Sequence, residues 1–92
     1  MPPETKTLPV GANTSPSSLA SAIATLITKG VALKLRCIGA GSVTNAGRAC
    51  AVARGFLTEK HLGLLERPAL IDEPVNGKPM TLMVITLDTY TH

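Results

Sequence analysis

Aromatic residues are almost missing from this 92-residue chain, which has one phenylalanine, one tyrosine and no tryptophan. Many proteins that bind single-stranded nucleic acids stack successive bases on several aromatic side chains. Phe56 and Tyr90 lie far apart in the sequence and cannot supply an interleaved row of rings. The composition therefore excludes an aromatic stacking platform.

The chain has only two cysteines, Cys37 and Cys50. Two cysteines are too few for a disulfide scaffold, and their spacing is not that of a CxxC motif. The first residues show neither the basic stretch nor the apolar stretch of a secretion signal. No apolar run approaches the roughly 18 residues that a membrane-spanning helix needs. These patterns predict two free, buried thiols in a cytoplasmic protein that does not contact a membrane.

Charged residues make up only 16% of the chain, whereas hydrophobic residues make up 45%. Disordered segments show the opposite balance, so we expect an ordered protein. The length suits a single domain, which we place at residues 5–92 after a flexible tail at residues 1–4. A domain this small buries a limited share of its surface, and we therefore expect a homodimer or a higher homo-oligomer.

The net charge of +3 is unevenly distributed. Residues 5–60 carry seven basic residues and one acidic residue, which gives 7 − 1 = +6. Residues 61–92 carry two basic and four acidic residues, which gives 2 − 4 = −2, and Glu4 supplies the remaining −1. This pattern favours an anionic partner or a self-complementary contact between subunits.

The first third of the chain predicts a strand followed by a helix. Residues 5–10 are β-prone, and Pro9 indicates an edge strand because proline has no N–H for a second neighbour. After a turn, Ser15 is placed to cap a helix whose first residue is Pro16, and Gly30 is placed to end it. One apolar stripe supports this helix: Leu19, Ala22, Ile23, Leu26 and Ile27.

The middle of the chain predicts a second strand and a second helix. Residues 31–38 alternate between apolar and basic side chains, as in a half-buried strand. The second helix should begin at a cap formed by Ser42 or Thr44 and end near Leu57. Its side chains are mostly small, which suits close packing on two sides. We expect the following residues to form its apolar side: Val43, Cys50 and Leu57, with Val52 and Phe56 beside them.

Two further strands are predicted at residues 63–71 and 80–87, joined by a hairpin. Asn76-Gly77 is a favoured pair for a tight hairpin turn. The hairpin tip at residues 72–79 should project into solvent, and we expect regular pairing to be interrupted by its flanking prolines: Pro68, Pro74 and Pro79. The resulting fold is an α+β, two-layer β-α-β-α-β-β domain, with a mixed sheet, both helices on one face and right-handed crossovers.

The loop Gly39-Ala40-Gly41-Ser42 between the second strand and the second helix allows two interpretations. It is either a tight turn that permits close packing or a weak contact for a phosphate group at a helix N-terminus. The spacing completes neither G-x-G-x-x-G, because position 44 is threonine, nor the Gly-Lys-Ser/Thr ending of a P-loop. The loop alone therefore does not decide between them.

No set of nucleophile, base and orienting residue can be assembled from the sequence. His61 has no Cys or carboxylate at metal-ligand spacing apart from Glu59, and we expect it to be an exposed or half-buried residue after the second helix. Asp72 and Glu73 lie on the predicted hairpin tip, where a solvated turn is expected. We therefore predict a protein that is not an enzyme and has no metal or cofactor.

Basic side chains provide the remaining candidates for anion contact. Lys34 and Arg36 point to the same face of the second strand and should stand on the open face of the sheet. Arg48 and Arg54 point in different directions on the second helix, so they cannot form one narrow patch. Because Arg48 lies nearer the glycine-rich loop, it is the better candidate.

Several separated segments resemble the stage V sporulation protein S family, which lies in the wider Alba class. These segments are Ser15-Pro16-Ser17-Ser18-Leu19-Ala20-Ser21-Ala22, Ile38-Gly39-Ala40-Gly41, Asn45, and Ala49-x-Ala51-x-Ala53-Arg54-Gly55-Phe56. They cover residues 15–57 in the family's order. The resemblance implies an Alba-like fold, usually dimeric, and a bacterial regulatory role connected with sporulation.

The resemblance also implies a nucleic-acid surface formed by the loop after strand 1, the loop before helix 2 and the protruding hairpin. The positions it assigns are Asn13, Ser15, Gly39, Gly41, Ser42, Asn45 and Arg48. The chain departs from the Alba pattern because residues 11–14 and 39–42 carry no cation. Affinity scales with the phosphates neutralised, so we expect weak binding to the backbone of DNA or RNA. Two alternatives stay open: a protein-interaction module, and a site for a small phosphorylated ligand at residues 39–42.

Overall fold

Six elements follow one another in the order β-α-β-α-β-β in this computed structural model, which describes residues 4–91. They are β1 (Thr5–Val10), α1 (Pro16–Thr28), β2 (Ala32–Cys37), α2 (Ser42–Thr58), β3 (Leu62–Val75) and β4 (Lys78–Thr91). The predicted α+β fold is confirmed. Residues 1–3 of the expected tail lie outside the described residues, and the backbone of Glu4 is bound, because its carbonyl accepts from the Ala32 N–H at 2.8 Å.

The four strands form one mixed sheet in the order β1-β2-β4-β3. β1 pairs with β2 in parallel, and β4 pairs antiparallel with both β2 and β3. The pairing of β2 with β4 runs from Leu33–Leu87 to Cys37–Met83. β1 lies at the edge of the sheet, which confirms the expectation drawn from Pro9.

Helix α1 begins and ends where its sequence predicts. The Ser15 side chain accepts a hydrogen bond from the Ser18 N–H at the N-terminus, and Pro16 is the first helical residue. Gly30 follows the helix with φ of 84°, a conformation that glycine adopts at little cost. The buried side of α1 comprises Leu19, Ala20, Ile23 and Ile27.

Helix α2 packs against the core with its small side chains, and the expectation for its apolar side is wrong in part. Val43, Val52 and Phe56 are 44%, 44% and 47% exposed. The buried side comprises Ser42, Ala46, Ala49, Cys50, Ala53 and Leu57. Small side chains let α1 and the sheet approach closely, and Leu57 is the one large apolar side chain on the buried side of α2, so Val43, Val52 and Phe56 lie on its outer and lateral sides.

The hairpin of β3 and β4 is longer than predicted. Each strand has 14 residues, and the pairing continues without a break to Val75–Lys78. Asn76 and Gly77 have φ of 53° and 79°, as a type I′ turn requires. The predicted turn is therefore confirmed, whereas the predicted interruption of pairing is wrong.

Strand register explains why the prolines do not interrupt the sheet. Because the two-residue turn makes Val75–Lys78 a hydrogen-bonded pair, the alternating ladder puts the next pair, Pro74–Pro79, at a non-hydrogen-bonded position. Pro68 lies six residues before Pro74 and is therefore at an equivalent position. At all three positions a backbone N–H would point away from the β3–β4 ladder. A proline there therefore removes no hydrogen bond between these two strands.

A glycine and a tyrosine face each other at the opposite end of the hairpin. Gly63 pairs with Tyr90 across β3 and β4, and a Cβ atom at position 63 would overlap the Tyr90 ring. The ring therefore occupies the space that a side chain at position 63 would need. An aromatic ring lying over a strand glycine compensates for the packing that glycine lacks.

Replacing Gly63 with alanine should displace the Tyr90 ring and lower the free energy of unfolding by about 1 kcal/mol, because the added methyl group overpacks this site. Chemical denaturation measures the loss. Displacement of the ring should also change the fluorescence of Tyr90, which can be observed directly because the chain has one tyrosine and no tryptophan. Gly47→Ala is the matched control. Position 47 is helical with open space around it, so alanine should stabilise the protein by about 0.5–1 kcal/mol. Equal effects of the two changes would contradict the proposed packing.

Candidate functional site

Three segments project from the same end of the sheet. The parallel strands β1 and β2 both end there, and residues 11–15 and 38–41 follow them. β2 ends at Cys37, which pairs with Met83, whereas the hairpin continues for five more β4 residues, or about 16 Å. We call residues 71–82 the hairpin arm. The two loops and the hairpin arm therefore lie at one end of the molecule, as the resemblance implies.

Asn45 connects the two loops. Its side-chain amide donates to the backbone oxygens of Gly11 at 3.0 Å and Ala12 at 2.9 Å. A Cβ atom at Gly41 would lie 3.9 Å from the Ala12 Cβ, so the loops are in contact. Asn45 therefore fixes the loop after β1 against the N-terminus of α2, a role that becomes visible only when both loops are placed.

The glycine-rich loop has a geometry that sequence reasoning predicted only in part. Gly39 and Gly41 have φ of 90° and 83°, and Gly41 rather than Ser42 or Thr44 is the N-cap of α2. Ser42 is buried, and its hydroxyl donates to the Gly39 carbonyl at 2.6 Å. A phosphate group at this loop would therefore meet backbone N–H groups and not the Ser42 hydroxyl.

The other predicted site residues are accessible. Asn13, Ser15, Gly39, Gly41 and Arg48 are exposed, and Asn45 is half-buried. Arg48 lies in the second turn of α2, whose N-terminus the loops surround. The structure thus brings all seven predicted positions to the same end of the molecule, but it leaves Ser42 facing inward.

Ion pairs involve three of the six acidic side chains. Three arginines have carboxylate partners: Arg36 with Glu73, Arg54 with Glu66 at 2.7 Å, and Arg67 with Asp88 at 2.6 Å. Two of these pairs join the basic part of the chain (residues 5–60) to its acidic part (residues 61–92). Among residues 4–91, Arg48 is the arginine for which the structure shows no carboxylate partner.

The pair between Arg36 and Glu73 was not predicted. Glu73 was expected in a solvated turn, and instead it is half-buried and accepts a hydrogen bond from Arg36 Nε at 2.6 Å. Asp72 is exposed and accepts from the Thr81 hydroxyl at 2.7 Å. Lys34 is exposed on the open face of the sheet, as expected. Sequence patterns carry no signal for the Arg36–Glu73 pair because it depends on how far the hairpin extends past β2.

His61, Cys37 and Cys50 are the histidine and the cysteines among residues 4–91. His61 is exposed in the turn after α2. Within residues 4–91, no group of three or more His, Cys, Asp or Glu side chains is placed to hold a metal ion. Cys37 and Cys50 are buried and free. Burial, followed by the nearby Glu66 carboxylate, raises the pKa of the Cys50 thiol to about 12, and burial also raises the pKa of Cys37.

Comparison with known families places the chain. The family described as stage V sporulation protein S (SpoVS) matches residues 6–90. The chain belongs to this family. SpoVS is a family of small regulatory sporulation proteins, and membership supports a role connected with sporulation. No helix within the described part of the chain is long and apolar enough to cross a membrane.

Cys50 should make the protein less stable in alkaline solution. The folded thiol keeps its proton up to about pH 12, whereas an unfolded thiol loses it near the ordinary value of 9.0. Above that pH the unfolded state binds fewer protons, so the free energy of unfolding should fall by up to about 1.4 kcal/mol per pH unit for this group. Urea denaturation between pH 8 and pH 11 measures the slope. Cys50→Ala should flatten it, and an unchanged slope would show that this thiol does not cause the loss.

Proposed function

We propose that this protein is a cytosolic, non-enzymatic regulator that contacts the phosphate backbone of DNA or RNA as a homodimer. The observation that carries the proposal is the placement of residues 11–15, residues 38–41 and the hairpin arm at one end of the sheet. Such an end presents two loops and a protruding arm to one ligand. The membership of the SpoVS family supports a regulatory role for that contact.

Backbone N–H groups supply part of the proposed surface. Residues 11–15 and 38–41 precede the N-termini of α1 and α2, where N–H groups and the helix dipoles favour anions. Contacts of this kind position a nucleic acid without reading its sequence. The proposed contact residues are Asn13, Ser15, Gly39, Gly41, Asn45 and Arg48, with Ser42 acting only through the shape of its loop.

Few cations are available on this surface, which makes the proposed binding weak. Arg48 is on α2, and Lys78 is on the hairpin arm. Two such cations in each protomer of a dimer would neutralise about four phosphates, and the affinity should then fall with salt with a log–log slope of about −3.6. Asp72 and Glu73 on the hairpin arm oppose any stronger attraction.

Replacing Arg48 with glutamine should weaken binding to DNA or RNA. The change removes one phosphate contact from each protomer, so the salt slope should decrease in magnitude by about 2 for the dimer. Titration of a short duplex DNA and a duplex RNA of the same length, at low and moderate salt, measures both the affinity and the slope. The two nucleic acids distinguish DNA binding from RNA binding.

Lys60→Gln is the matched control for this experiment. It removes the same charge from an exposed residue just after α2, at the opposite end of that helix from the loops. It should leave the affinity within about twofold of the unchanged protein, because only a distant screened charge is lost. No binding of either nucleic acid at low salt would reject the proposed function. Equal losses in the two variants would reject the proposed surface.

Self-association has support of its own in the apolar side chains left exposed. Leu70 is 69% exposed on β3, and Val43 is 44% exposed at the start of α2. The Arg54–Glu66 ion pair fixes one point at which α2 and β3 lie side by side. Val43 lies about 16 Å from Arg54 along α2, and Leu70 lies about 13 Å from Glu66 along β3. Because β3 returns antiparallel to α2, Val43 and Leu70 lie at a similar level on one flank, where a second copy could cover both.

Leu70→Glu should convert the proposed dimer to a monomer, because a second copy would bury the introduced charge. Size-exclusion chromatography with light scattering measures the mass. Leu65→Glu is the matched control: Leu65 is 51% exposed on the same strand, but it points to the opposite face of the sheet. A strict monomer before any substitution would contradict self-association, and loss of the dimer in the control variant alone would place the contact on the other face.

A further inference from the structure

The hairpin arm receives no support from a neighbouring strand. Pairing between β2 and β4 ends at Cys37–Met83, so the backbone of residues 71–82 pairs only within the hairpin. An isolated two-stranded hairpin is marginally stable in water at best. The direction in which the arm projects therefore has to be fixed by side chains.

One ion pair joins the hairpin arm to the body of the sheet. Arg36 lies on β2 in the same row as Val84 and Ala69, and Glu73 lies four residues beyond Ala69 on β3. Arg36 Nε donates to Glu73 Oε1 at 2.6 Å, and a terminal guanidinium nitrogen contacts the same oxygen. The two side chains therefore connect β2 to the hairpin arm across the open face of the sheet.

A buried leucine lies in the row that this ion pair crosses. Leu82 pairs with Ile71, between the row of Arg36 and the row of Glu73. Leu82 is 2% exposed although it points to the face opposite the helices and does not belong to the main core cluster. Arg36, Glu73 and Ile71 together line a depression of about 350 Å³ on that face. The arm thus has a buried apolar side chain next to its ion pair.

We propose that Arg36 and Glu73 are positioning residues that hold the hairpin arm at the angle required for nucleic-acid binding. The ligand in this inference rests on the proposed function, whereas the restraint on the arm does not. Neither side chain needs to touch the nucleic acid. The ion pair keeps the arm and the two loops in the relative positions that let one nucleic acid contact all three.

The inference predicts the opposite sign from simple electrostatics. Removing a carboxylate from a surface that binds a polyanion normally strengthens binding. Glu73→Ala should instead weaken binding to duplex DNA or duplex RNA by about threefold or more, because the arm loses its restraint. Asp72→Ala is the matched control. It removes the neighbouring carboxylate, for which residues 4–91 show no ion pair, and it should leave the affinity equal or higher. Equal affinity of the two variants would overturn the inference.

Exchanging the two charges tests the same ion pair without changing the net charge. The double variant Arg36→Glu with Glu73→Arg should recover the affinity to within about twofold of the unchanged protein, since the pair can form in the reverse sense. The single variant Arg36→Glu should not recover it. Failure of the double variant to bind better than that single variant would contradict the positioning role.

Amide hydrogen exchange without ligand separates this inference from the proposed function. Glu73→Ala should accelerate exchange at the amides of the hairpin arm and leave those of α1 and β2 unchanged, because local opening exposes the arm's ladder. Asp72→Ala should accelerate it less. If the unchanged protein binds no nucleic acid but Glu73→Ala frees the arm, the proposed function fails and the restraint stands. If exchange in the arm is the same in all three proteins, the restraint itself is rejected.

Discussion

The unequal length of the paired strands is the constraint on which the rest of the site depends. β2 stops at Cys37, whereas β3 and β4 continue together for the length of the hairpin arm. The arm can extend because all of its ladder bonds are internal and its prolines occupy positions that donate none. Its direction then depends on side chains. Arg36, the penultimate residue of β2, reaches the arm through its ion pair with Glu73.

Local signals in the sequence were sufficient for the elements that depend on neighbouring residues. Ser15 and Pro16 predicted the start of α1, Gly30 its end, and Asn76-Gly77 the hairpin turn, because each of these depends on backbone geometry within a few residues. The extent of β3 and β4 was underestimated because the effect of a proline depends on which edge its nitrogen faces. That orientation follows from register, which is a property of two strands and cannot be read from either one alone.

In the candidate site, too, the sequence was sufficient for some features, whereas others depend on tertiary contacts. A family resemblance, together with the position of Arg48 near the glycine-rich loop, was enough to assign the seven site residues, and the structure brings them to one end of the sheet. The inward orientation of Ser42 and the bridging role of Asn45 depend on how two distant loops meet, so no local pattern could reveal them. The charge distribution also has a different meaning in the structure, because two arginines of the basic part, Arg36 and Arg54, pair with carboxylates of the acidic part within the same chain. Arg48 consequently stands out from the other arginines.

The prolines of β3 have a consequence beyond this hairpin. The backbone nitrogens of Pro68 and Pro74 face the edge of the sheet that β3 forms, where an incoming strand would need N–H groups as donors. Such a strand would lack two N–H donors, six residues apart, and could not form a continuous hydrogen-bonded ladder. The protein can therefore display a 14-residue edge strand without templating the addition of further chains. This arrangement disfavours growth of the sheet by strand addition at the β3 edge.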